Sequence, residues 1–351
     1  MNIVFLGLSI TSSWGNGHAV TYRALLRGLR ERGHDVVFLE RDVPWYAARR
    51  DAPRSALLYS SVDELRSRFG DLVRDADLAV VGSYVPDGVD VADWVLDTAT
   101  GVTAFYDIDT PITLSKLAAC DDEYLVPELL PLFDLYFSFT GGPTLRRLED
   151  WGARRARALY CAADPELYFP ERRDPRWLLG YLGTYARDRQ PSLERLLIEP
   201  ARRFPEERFV VCGPQYPSTV RWPANVERIE HVAPADHRGF YAQQAFTLNL
   251  TRADMIEAGW APSVRLFEAG ACAAPIVSDW WEGLDDFFEP GMEIVVARET
   301  VDVIEVLAGL DERERRSIGE RARERVLAEH TPERRAAQLE AEVAAVARIG
   351  A

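Results

Sequence analysis

Short apolar runs alternate with amphipathic stretches along most of the chain. Asn2 to Gly7 has the pattern of a buried strand, Val20 to Arg32 has the spacing of an amphipathic helix that ends at Gly33, and His34 to Glu40 follows as a second strand. Further strand patterns in this half lie at 78–82, 102–107, 135–139 and 156–161. Strands that alternate with helices predict a mostly parallel sheet with helices packed on it.

The same alternation starts again in the second half. Strands are predicted at 177–183, 208–213, 226–232 and 246–251, and helices at 192–204, 236–243, 301–309, 312–329 and 331–347. The charged, proline-bearing run from Pro170 to Arg176 is typical of a linker between the two halves. With 351 residues, the chain is long enough for two α/β domains of ordinary size.

One stretch, from Gly259 to Val296, carries the most specific features. Its first helix begins after Ser263, whose hydroxyl can accept a bond from a free backbone N–H. Arg265 and Glu268 fall on one face of that helix, one turn apart. A helix N-terminus with an arginine suits a phosphate, and a carboxylate one turn deeper suits a sugar hydroxyl. The alternative is a surface i,i+3 ion pair, worth about 0.2 to 0.5 kcal/mol.

The residues that follow this helix favour a ligand site. Ala274 to Ser278 has the pattern of a short buried strand, and Asp279-Trp-Trp-Glu-Gly283 begins where this strand ends. In open α/β sheets, ligands bind just beyond the carboxyl ends of the strands. The segment from Asp279 to Gly283 is therefore expected to face a ligand.

Three segments of this region, Asn249 to Met255, Pro262 to Glu268 and Ser278 to Leu284, carry a family resemblance. Their order, with Phe-Glu-Ala in a helix, then Pro-Ile-Val-Ser-Asp and a glycine turn, resembles the donor-nucleotide motif of retaining GT-B glycosyltransferases, most closely the spore-maturation (CgeB-like) branch. The resemblance implies two Rossmann-like β/α/β domains facing a central cleft, with a C-terminal helix crossing back to the N-terminal domain. It implies an acceptor-binding domain over 1–165, a donor-binding domain over 166–330 and the returning helix over 331–351.

Two positions depart from that family pattern. The family has two glutamates eight positions apart; Glu268 matches the second, and Trp260 stands where the first would be. Ala273 replaces a glycine that is common before the proline. These departures leave open whether the configuration at the transferred sugar is retained or inverted.

The resemblance also implies where a nucleotide-sugar donor binds. The loop after Gly183 matches the family loop whose basic residues face the diphosphate, Gly213 matches the turn beside the nucleobase, and Arg252 is a second phosphate candidate at the end of a strand. The residues expected at the donor are Gly183, Arg187, Arg189, Gly213, Asn249, Arg252, Ser263, Val264, Arg265, Glu268, Asp279, Trp280 and Gly283. Catalytic roles are expected for Arg265 and Glu268, together with His18.

The acceptor is expected to bind to loops of the first domain. The loop from Trp14 to His18 resembles the first loop of GT-B enzymes, and its Gly-x-Gly does not follow the strand directly, as a dinucleotide fingerprint would. His18 would remove a proton from the acceptor hydroxyl; the alternative is a helix N-terminal residue without a chemical role. Asp107 and Asp109 come at the end of a predicted strand. They would either contact the acceptor or cap the loop through hydrogen bonds to its backbone. The residues expected at the acceptor are Trp14, Gly17, His18, Asp107, Asp109 and Gly141.

Composition excludes several other classes of protein. A net charge of −15 argues against nucleic acid or an anionic membrane as the main partner. Lys116 is the only lysine. Proteins with a Walker-type loop and enzymes with lysine-bound pyridoxal phosphate both need a lysine, so these classes are excluded unless Lys116 is that residue. Four separated cysteines favour a reducing, cytoplasmic location without structural zinc or disulfides. The chain has no apolar run of about 18 residues and begins with a strand pattern instead of a signal peptide, so we expect no membrane insertion.

The sequence therefore predicts a glycosyltransferase that moves a sugar from a nucleotide-diphosphate sugar, UDP- or dTDP-linked, to an unidentified acceptor. No metal and no further cofactor are expected if arginines and helix N-termini neutralise the departing diphosphate. Two alternatives share the fold: an epimerase acting on the sugar nucleotide, and a non-catalytic protein that binds it. A dehydrogenase is a more distant alternative.

Overall fold

The computed structural model describes residues 1–12, 17–44 and 56–350, and the chain divides into two compact units. The first unit comprises Met1–Ala162 together with Pro332–Ala351, and the second comprises Ala163–Thr331. Each unit contains one parallel sheet with helices in the connections. The predicted α/β fold class, with two sheets built from alternating strands and helices, is confirmed.

The sheet of the first unit is doubly wound. Its strands are β1 (Asn2–Gly7), β2 (Asp35–Arg41), β3 (Ala56–Tyr59), β4 (Leu78–Gly82), β5 (Val102–Asp107), β6 (Leu135–Ser138) and β7 (Ala156–Ala158). In the described part of the chain they pair in parallel, in the order β3-β2-β1-β4-β5-β6-β7. The order reverses between β1 and β4, and such a switch point is where open sheets bind ligands at their carboxyl ends.

Helices cover both faces of this sheet. Among the described residues these are α1 (Gly17–Glu31), α2 (Val62–Arg74), α3 (Gly88–Thr98), α4 (Thr110–Ala118) and α5 (Pro143–Asp150), with a 3₁₀ turn over Pro127–Leu132. The side chains of β1 show the two-sided burial of a parallel sheet, because Val4 and Leu6 belong to the core on one face and Ile3 and Phe5 to the core on the other.

The sheet of the second unit has the same doubly wound plan. Its strands are β8 (Trp177–Leu182), β9 (Phe209–Cys212), β10 (Val226–Ile229), β11 (Gln244–Asn249), β12 (Ile276–Ser278) and β13 (Val295–Val296). They pair in parallel in the order β10-β9-β8-β11-β12-β13, so the order reverses between β8 and β11. The loops that follow β8 and β11 therefore leave the sheet at its switch point.

The helices of the second unit are α6 (Gln190–Leu193), α7 (Glu199–Arg203), α8 (His237–Ala242), α9 (Ala253–Ala258), α10 (Val264–Ala271), α11 (Thr300–Gly309) and α12 (Glu312–Glu329). Short 3₁₀ turns lie at Pro234–Asp236 and Leu284–Asp286. The predicted helix 192–204 is interrupted by a π-helical turn over Glu194–Ile198. Pro200 lacks an N–H and cannot donate to the fourth residue before it, so a wider turn just before it accommodates the lost bond.

The last helix, α13 (Pro332–Gly350), belongs to the first unit and packs against α1. The approach is close at Gly28, where an added Cβ would lie 2.2 Å from the carbonyl oxygen of Pro332. Arg32 adds an ion pair to Glu340, with Nε 2.6 Å from Oε1. Glycine at position 28 is therefore a packing requirement of the returning helix.

Predicted and observed elements agree best where the pattern is long and regular. Strands 78–82 and 102–107 and helix 312–329 have the predicted bounds, whereas the strand predicted over 226–232 ends at Ile229. Strand β3 was not predicted: it is short, and only one of its four residues is fully buried. In the described part of the chain, no helix is both long and apolar enough to span a lipid bilayer.

Candidate functional site

Two glycines bring the loops after β8 and β9 together in the second unit. The N–H of Gly183 donates to the carbonyl of Cys212 (2.8 Å), and Gly213 has a φ of 148°. A Cβ added at Gly213 would lie 2.0 Å from the carbonyl oxygen of Gly183. Only glycine fits this approach, so the two predicted donor loops lie side by side at the carboxyl edge of the sheet.

Three of the predicted arginines gather at this edge. Arg189 Nη2 donates to the carbonyl of Thr184 (2.8 Å), which folds the loop after β8, and Arg187 is exposed on the same loop. Asp188 Oδ2 accepts from the N–H of Ala253 (3.0 Å), so the loop is tied to the residue after Arg252. Arg252 lies 3.7 Å from Asp254, measured from Nε to Oδ1. The structure thus brings Arg187, Arg189 and Arg252 into neighbouring positions.

Helix α10 begins as the sequence predicts. Ser263 is its N-cap, and the Ser263 hydroxyl oxygen accepts from the N–H of Arg265 (3.3 Å). Val264 is half-buried at the first helical position, and Leu266 and Phe267 are fully buried. The apolar face holds the helix against the unit, so its N-terminal turn carries Arg265 at a fixed position.

The Arg265 side chain is half-buried, and its guanidinium makes no hydrogen bond or ion pair with any described residue. Its charge nevertheless acts on several groups around the ends of β8 and β9. Burial raises the pKa of the Tyr181 hydroxyl, and the charges of Arg189 and Arg265 both oppose that rise. Burial raises the pKa of the Cys212 thiol to about 11, again opposed by Arg265. Arg189 and Arg265 therefore converge on one location, with positive charge that no carboxylate within ion-pair distance of Arg265 neutralises.

Glu268 lies one turn deeper and is 2% exposed. Its Oε1 accepts from the Tyr168 hydroxyl (2.8 Å), its Oε2 accepts from the Tyr241 hydroxyl (3.4 Å), and His237 Nδ1 lies 3.8 Å from Oε2. Arg265 and Glu268 form no ion pair, and Glu268 is not at the surface. The alternative of a surface i,i+3 ion pair is therefore wrong.

The groups around Glu268 are neutral donors. Burial, followed by the Glu268 charge, raises the pKa of Tyr168 and of Tyr241 well above the ordinary range of a phenol, so both hydroxyls keep their protons. Burial lowers the pKa of His237, against the opposing effect of Glu268, which favours the neutral imidazole at neutral pH. A buried carboxylate held only by neutral partners retains its attraction for further hydroxyl donors.

Asn249 and Asp279 join the ends of strands β11 and β12. Asn249 Nδ2 donates to Ser278 Oγ (3.0 Å), while Asp279 accepts from the backbone N–H and the hydroxyl of Thr251 (2.8 Å each). Both side chains are at most 5% exposed, and burial raises the pKa of Asp279. Both oxygens of the Asp279 carboxylate are bonded to Thr251, so Asp279 positions Arg252, which follows Thr251.

Trp260, Trp280 and Gly283 lie around the turn after β12. Gly283 has a φ of 84°, and a Cβ there would lie 2.4 Å from Nε1 of the Trp260 indole. That indole donates to Asp286 Oδ2 (2.5 Å). Trp280 is half-buried, with the Arg298 guanidinium 5.1 Å from its ring centroid. The residue at the position of the missing glutamate is therefore packed onto the glycine turn.

The predicted base, His18, lies near the start of α1 in the first unit and is half-buried. Its ring is 5.4 Å from that of Tyr84, centroid to centroid, and burial lowers its pKa to about 4. Gly17, the first residue of α1, is exposed. Trp14 lies outside the described residues. His18 is therefore neutral at pH 7.

The two predicted aspartates, Asp107 at the end of β5 and Asp109 two residues later, differ in accessibility. Asp107 is fully buried, and its carboxylate accepts from the hydroxyls of Tyr136 (2.6 Å) and Thr113 (2.8 Å), while burial raises its pKa. This geometry fits the alternative in which Asp107 caps the loop, because no part of the side chain is accessible to an acceptor. Asp109 is half-buried and accepts from the Tyr84 hydroxyl (3.2 Å). Gly141 is buried and precedes helix α5.

Four residues of these sites were not predicted from the sequence: Tyr84, Tyr168, His237 and Tyr241. Tyr84 has a left-handed backbone, with φ of 62°, which is unusual for a bulky residue and marks local strain. Its position two residues after β4, at the switch point of the sheet, is the sequence signal that could have identified it. The other three reach Glu268 from distant segments and carry no local motif. No cluster of three or more metal-ligating side chains occurs among the residues that the structure describes.

Comparison with known proteins agrees with this architecture. Residues 189–341 match a family model described as glycosyl transferase-like. A search of curated proteins gave no match.

Solved structures resemble the chain over nearly its whole length. Sucrose-phosphate synthase from Thermosynechococcus elongatus superposes with a TM-score of 0.69 at 13% identity, over 96% of this chain and 97% of that one. Anabaena HepE in complex with UDP and glucose gives 0.70 at 12% identity, over 97% and 99%. An α-glucosyltransferase in complex with UDP and DNA gives 0.70 at 12% identity, over 97% and 98%.

The chain therefore has the fold of the GT-B glycosyltransferases, and its segment 189–341 matches the glycosyl transferase-like family model. The matched segment contains Arg189, Arg252, Arg265 and Glu268. At this level of identity the structural likeness defines the fold, and the assignment of individual residues depends on the geometry described above.

Proposed function

We propose that this protein is a glycosyltransferase that transfers a sugar from a nucleoside-diphosphate sugar to a hydroxyl of an acceptor. The glycosyl transferase-like domain and the fold support transfer chemistry. HepE and the α-glucosyltransferase are described in complex with UDP, which makes UDP-sugars the first donors to test. In the reaction, the bond from the anomeric carbon to the diphosphate breaks, a bond to the acceptor oxygen forms, and the acceptor's proton is taken up by a base.

The observation that carries the proposal is the position of Arg265. A half-buried guanidinium without a carboxylate partner stands in the first turn of α10, where the helix dipole adds partial positive charge. An anion there gains charge-assisted hydrogen bonds at a site that already excludes much of the water. Charge that develops on a departing diphosphate is stabilised by such preorganised donors.

Arg189 and Arg252 supply further positive charge to the same diphosphate in this proposal. Three arginines and a helix N-terminus would balance the charge that a divalent cation balances in other transferases, so we propose that transfer is metal-independent. Glu268 would hold the ribose, since an acceptor-only carboxylate one turn beyond the phosphate site matches a sugar hydroxyl. Gly183 and Gly213 would let the backbone approach the nucleotide closely.

The first unit would bind the acceptor, with His18 as the general base. A pKa of about 4 keeps His18 unprotonated at neutral pH, so it can accept the acceptor's proton, although as a weaker base than an ordinary histidine. Asp109, held by the Tyr84 hydroxyl, is the accessible carboxylate of this region. We also propose the CgeB-like branch and a cytoplasmic location, on the sequence features given above.

A second candidate is a protein that binds nucleotide sugars without transferring them. It is favoured by Trp260, which occupies the position of the family's first glutamate and is packed against Gly283. The two functions share the donor site and differ in turnover.

The test is a thermal-shift screen against UDP-, dTDP- and GDP-sugars, followed by an assay of nucleoside diphosphate release with the donor that stabilises most. Release that persists in EDTA supports a metal-independent transferase. Tight binding without release, across a broad panel of acceptors, would favour the non-catalytic candidate. Absence of binding to every sugar nucleotide would refute both.

A further inference from the structure

Glu268 is a buried carboxylate whose acceptor capacity is only partly used. Two phenol hydroxyls reach it, and no arginine or lysine lies within ion-pair distance among the described residues. A carboxylate offers about four acceptor positions, and a buried one without a cation is stabilised by every added donor. The Tyr168 hydroxyl, at 2.8 Å, supplies the shorter of the two bonds.

Tyr168 comes from a segment that is otherwise at the surface. Leu167 is 63% exposed and Phe169 is 37% exposed, whereas Tyr168 between them is 4% exposed. The backbone forms a turn in which the N–H groups of Leu167 and Tyr168 both donate to the carbonyl of Asp164 (3.0 and 2.8 Å). One buried phenol therefore anchors an exposed loop, and its main polar bond is the one to Glu268.

Tyr241 differs from Tyr168 in both respects. It lies on helix α8, is fully buried, and makes a longer bond of 3.4 Å to Glu268. A helix-borne side chain is fixed by the packing of its neighbours, whereas a loop-borne one can leave its position at lower cost. Of the two phenols, Tyr168 is thus the one that a competing hydroxyl can replace.

We propose that the Tyr168 hydroxyl occupies, on Glu268, the position of a ribose hydroxyl of the donor, and that a ribonucleotide displaces it on binding. This inference rests on the proposed function, in which Glu268 holds the ribose. A ribose diol brings two hydroxyls and replaces one phenol bond, whereas a deoxyribose brings one and gains nothing by the exchange. Tyr168 thereby makes the site selective for ribonucleotide donors, such as UDP-sugars, over deoxyribonucleotide donors, such as dTDP-sugars.

The experiment compares UDP with 2′,3′-dideoxyuridine diphosphate by titration calorimetry on the full chain. Tyr168→Phe keeps the ring and removes the competing hydroxyl, so UDP should bind about tenfold more tightly, the factor expected for one hydrogen bond to a charged group. The dideoxy nucleotide has no hydroxyl to exchange, and its affinity should stay within about twofold of wild type. Tyr59→Phe is the matched control and should change UDP affinity by less than about twofold, because that buried phenol lies in the sheet of the first unit.

Hydrogen exchange of the wild-type protein gives an independent readout. The amides of Leu167 and Tyr168 should exchange faster with saturating UDP and be unaffected by the dideoxy nucleotide. If Tyr168→Phe weakens UDP binding, or exchange at these amides slows with UDP, Tyr168 supports Glu268 instead of competing for it, and this inference is overturned while the donor site stands. If the wild-type protein binds neither UDP nor UDP-sugars, the inference and the proposed function both fall.

Discussion

Thr251 and Asp279 are joined by two hydrogen bonds at the ends of neighbouring strands. The backbone N–H of Thr251 donates to Asp279 Oδ2 and its hydroxyl donates to Oδ1, each at 2.8 Å. Because Arg252 follows Thr251 directly, this clamp determines where one of the phosphate candidates leaves the sheet. Ser278 and Asp279, the Ser-Asp pair at the end of β12, thus help to position the residues of the site.

Asp279→Ala should destabilise the second unit. The substitution leaves the N–H and hydroxyl of Thr251 without their partner in a buried location, and we expect a loss of about 2 to 4 kcal/mol in the free energy of unfolding. Urea denaturation followed by fluorescence measures it. Asp285→Ala is the matched control, since Asp285 is exposed and should stay within about 0.5 kcal/mol. Equal stability of the two variants would show that the Thr251–Asp279 hydrogen bonds do not contribute to the free energy of unfolding.

Gly213→Ala should disrupt the junction of the two donor loops. A methyl group at 2.0 Å from the Gly183 carbonyl oxygen must push the backbone apart, so we expect a loss of about 3 kcal/mol or more together with weaker nucleotide binding. Gly70→Ala is the control: Gly70 lies in helix α2 with no atom within 4 Å of the added methyl. That change should stabilise the protein by about 0.5 to 1 kcal/mol. A Gly213→Ala protein as stable as wild type would refute the close approach.

His18→Ala should slow turnover without weakening the binding of the donor. Its imidazole is the proposed acceptor of the proton, and general bases of this kind contribute roughly 10²- to 10⁴-fold to rate. The Kd of the nucleotide should be unchanged, because the predicted diphosphate and ribose contacts lie in the second unit. Steady-state kinetics with calorimetry on the same variant separate the two effects. Unchanged kcat would leave His18 without a catalytic role.

His18 also predicts how stability depends on pH. Burial lowers its pKa from the ordinary 6.5 to about 4, so the unfolded chain binds this proton more readily than the folded one. The contribution to stability is complete above pH 6.5 and is lost as the pH falls towards 4, by roughly 2 to 3 kcal/mol. The raised pKa values of Asp107 and Asp279 act in the opposite sense, because protonation favours those folded carboxyls.

The pH prediction is tested by comparing wild type with His18→Gln. Glutamine keeps a polar side chain and does not titrate, so its unfolding free energy should fall less steeply between pH 6.5 and 4. Parallel curves for the two proteins would mean that the His18 pKa is not lowered in the folded state.

The alternation of strand and helix patterns was sufficient to predict both parallel sheets, because buried parallel strands are apolar on both faces and leave clear signals. Strand β3 was not predicted because it is short and only one of its four residues is fully buried. The π-helical turn before Pro200 was invisible to a pattern that counts only helical spacing.

The candidate site was predictable where its residues lie close together in sequence. Ser263, Arg265 and Glu268 share one helix, so a local motif identified them. Tyr168 stands 100 positions before Glu268, and only the folded chain brings their side chains together. Asp107 illustrates the converse: its position after a strand suggested a ligand contact, but burial against Tyr136 and Thr113 could not be read from the sequence.

The central claim is that Arg265 binds the diphosphate of the donor. Calorimetric titration of UDP into the wild-type protein and into Arg265→Ala tests this claim most directly. Removing a charge-assisted contact from a partly buried site should raise the Kd by about tenfold to a hundredfold. Arg316→Ala, which removes a surface arginine paired with Glu312, should leave the Kd unchanged. An Arg265→Ala protein that is folded and binds UDP as tightly as wild type would contradict the account.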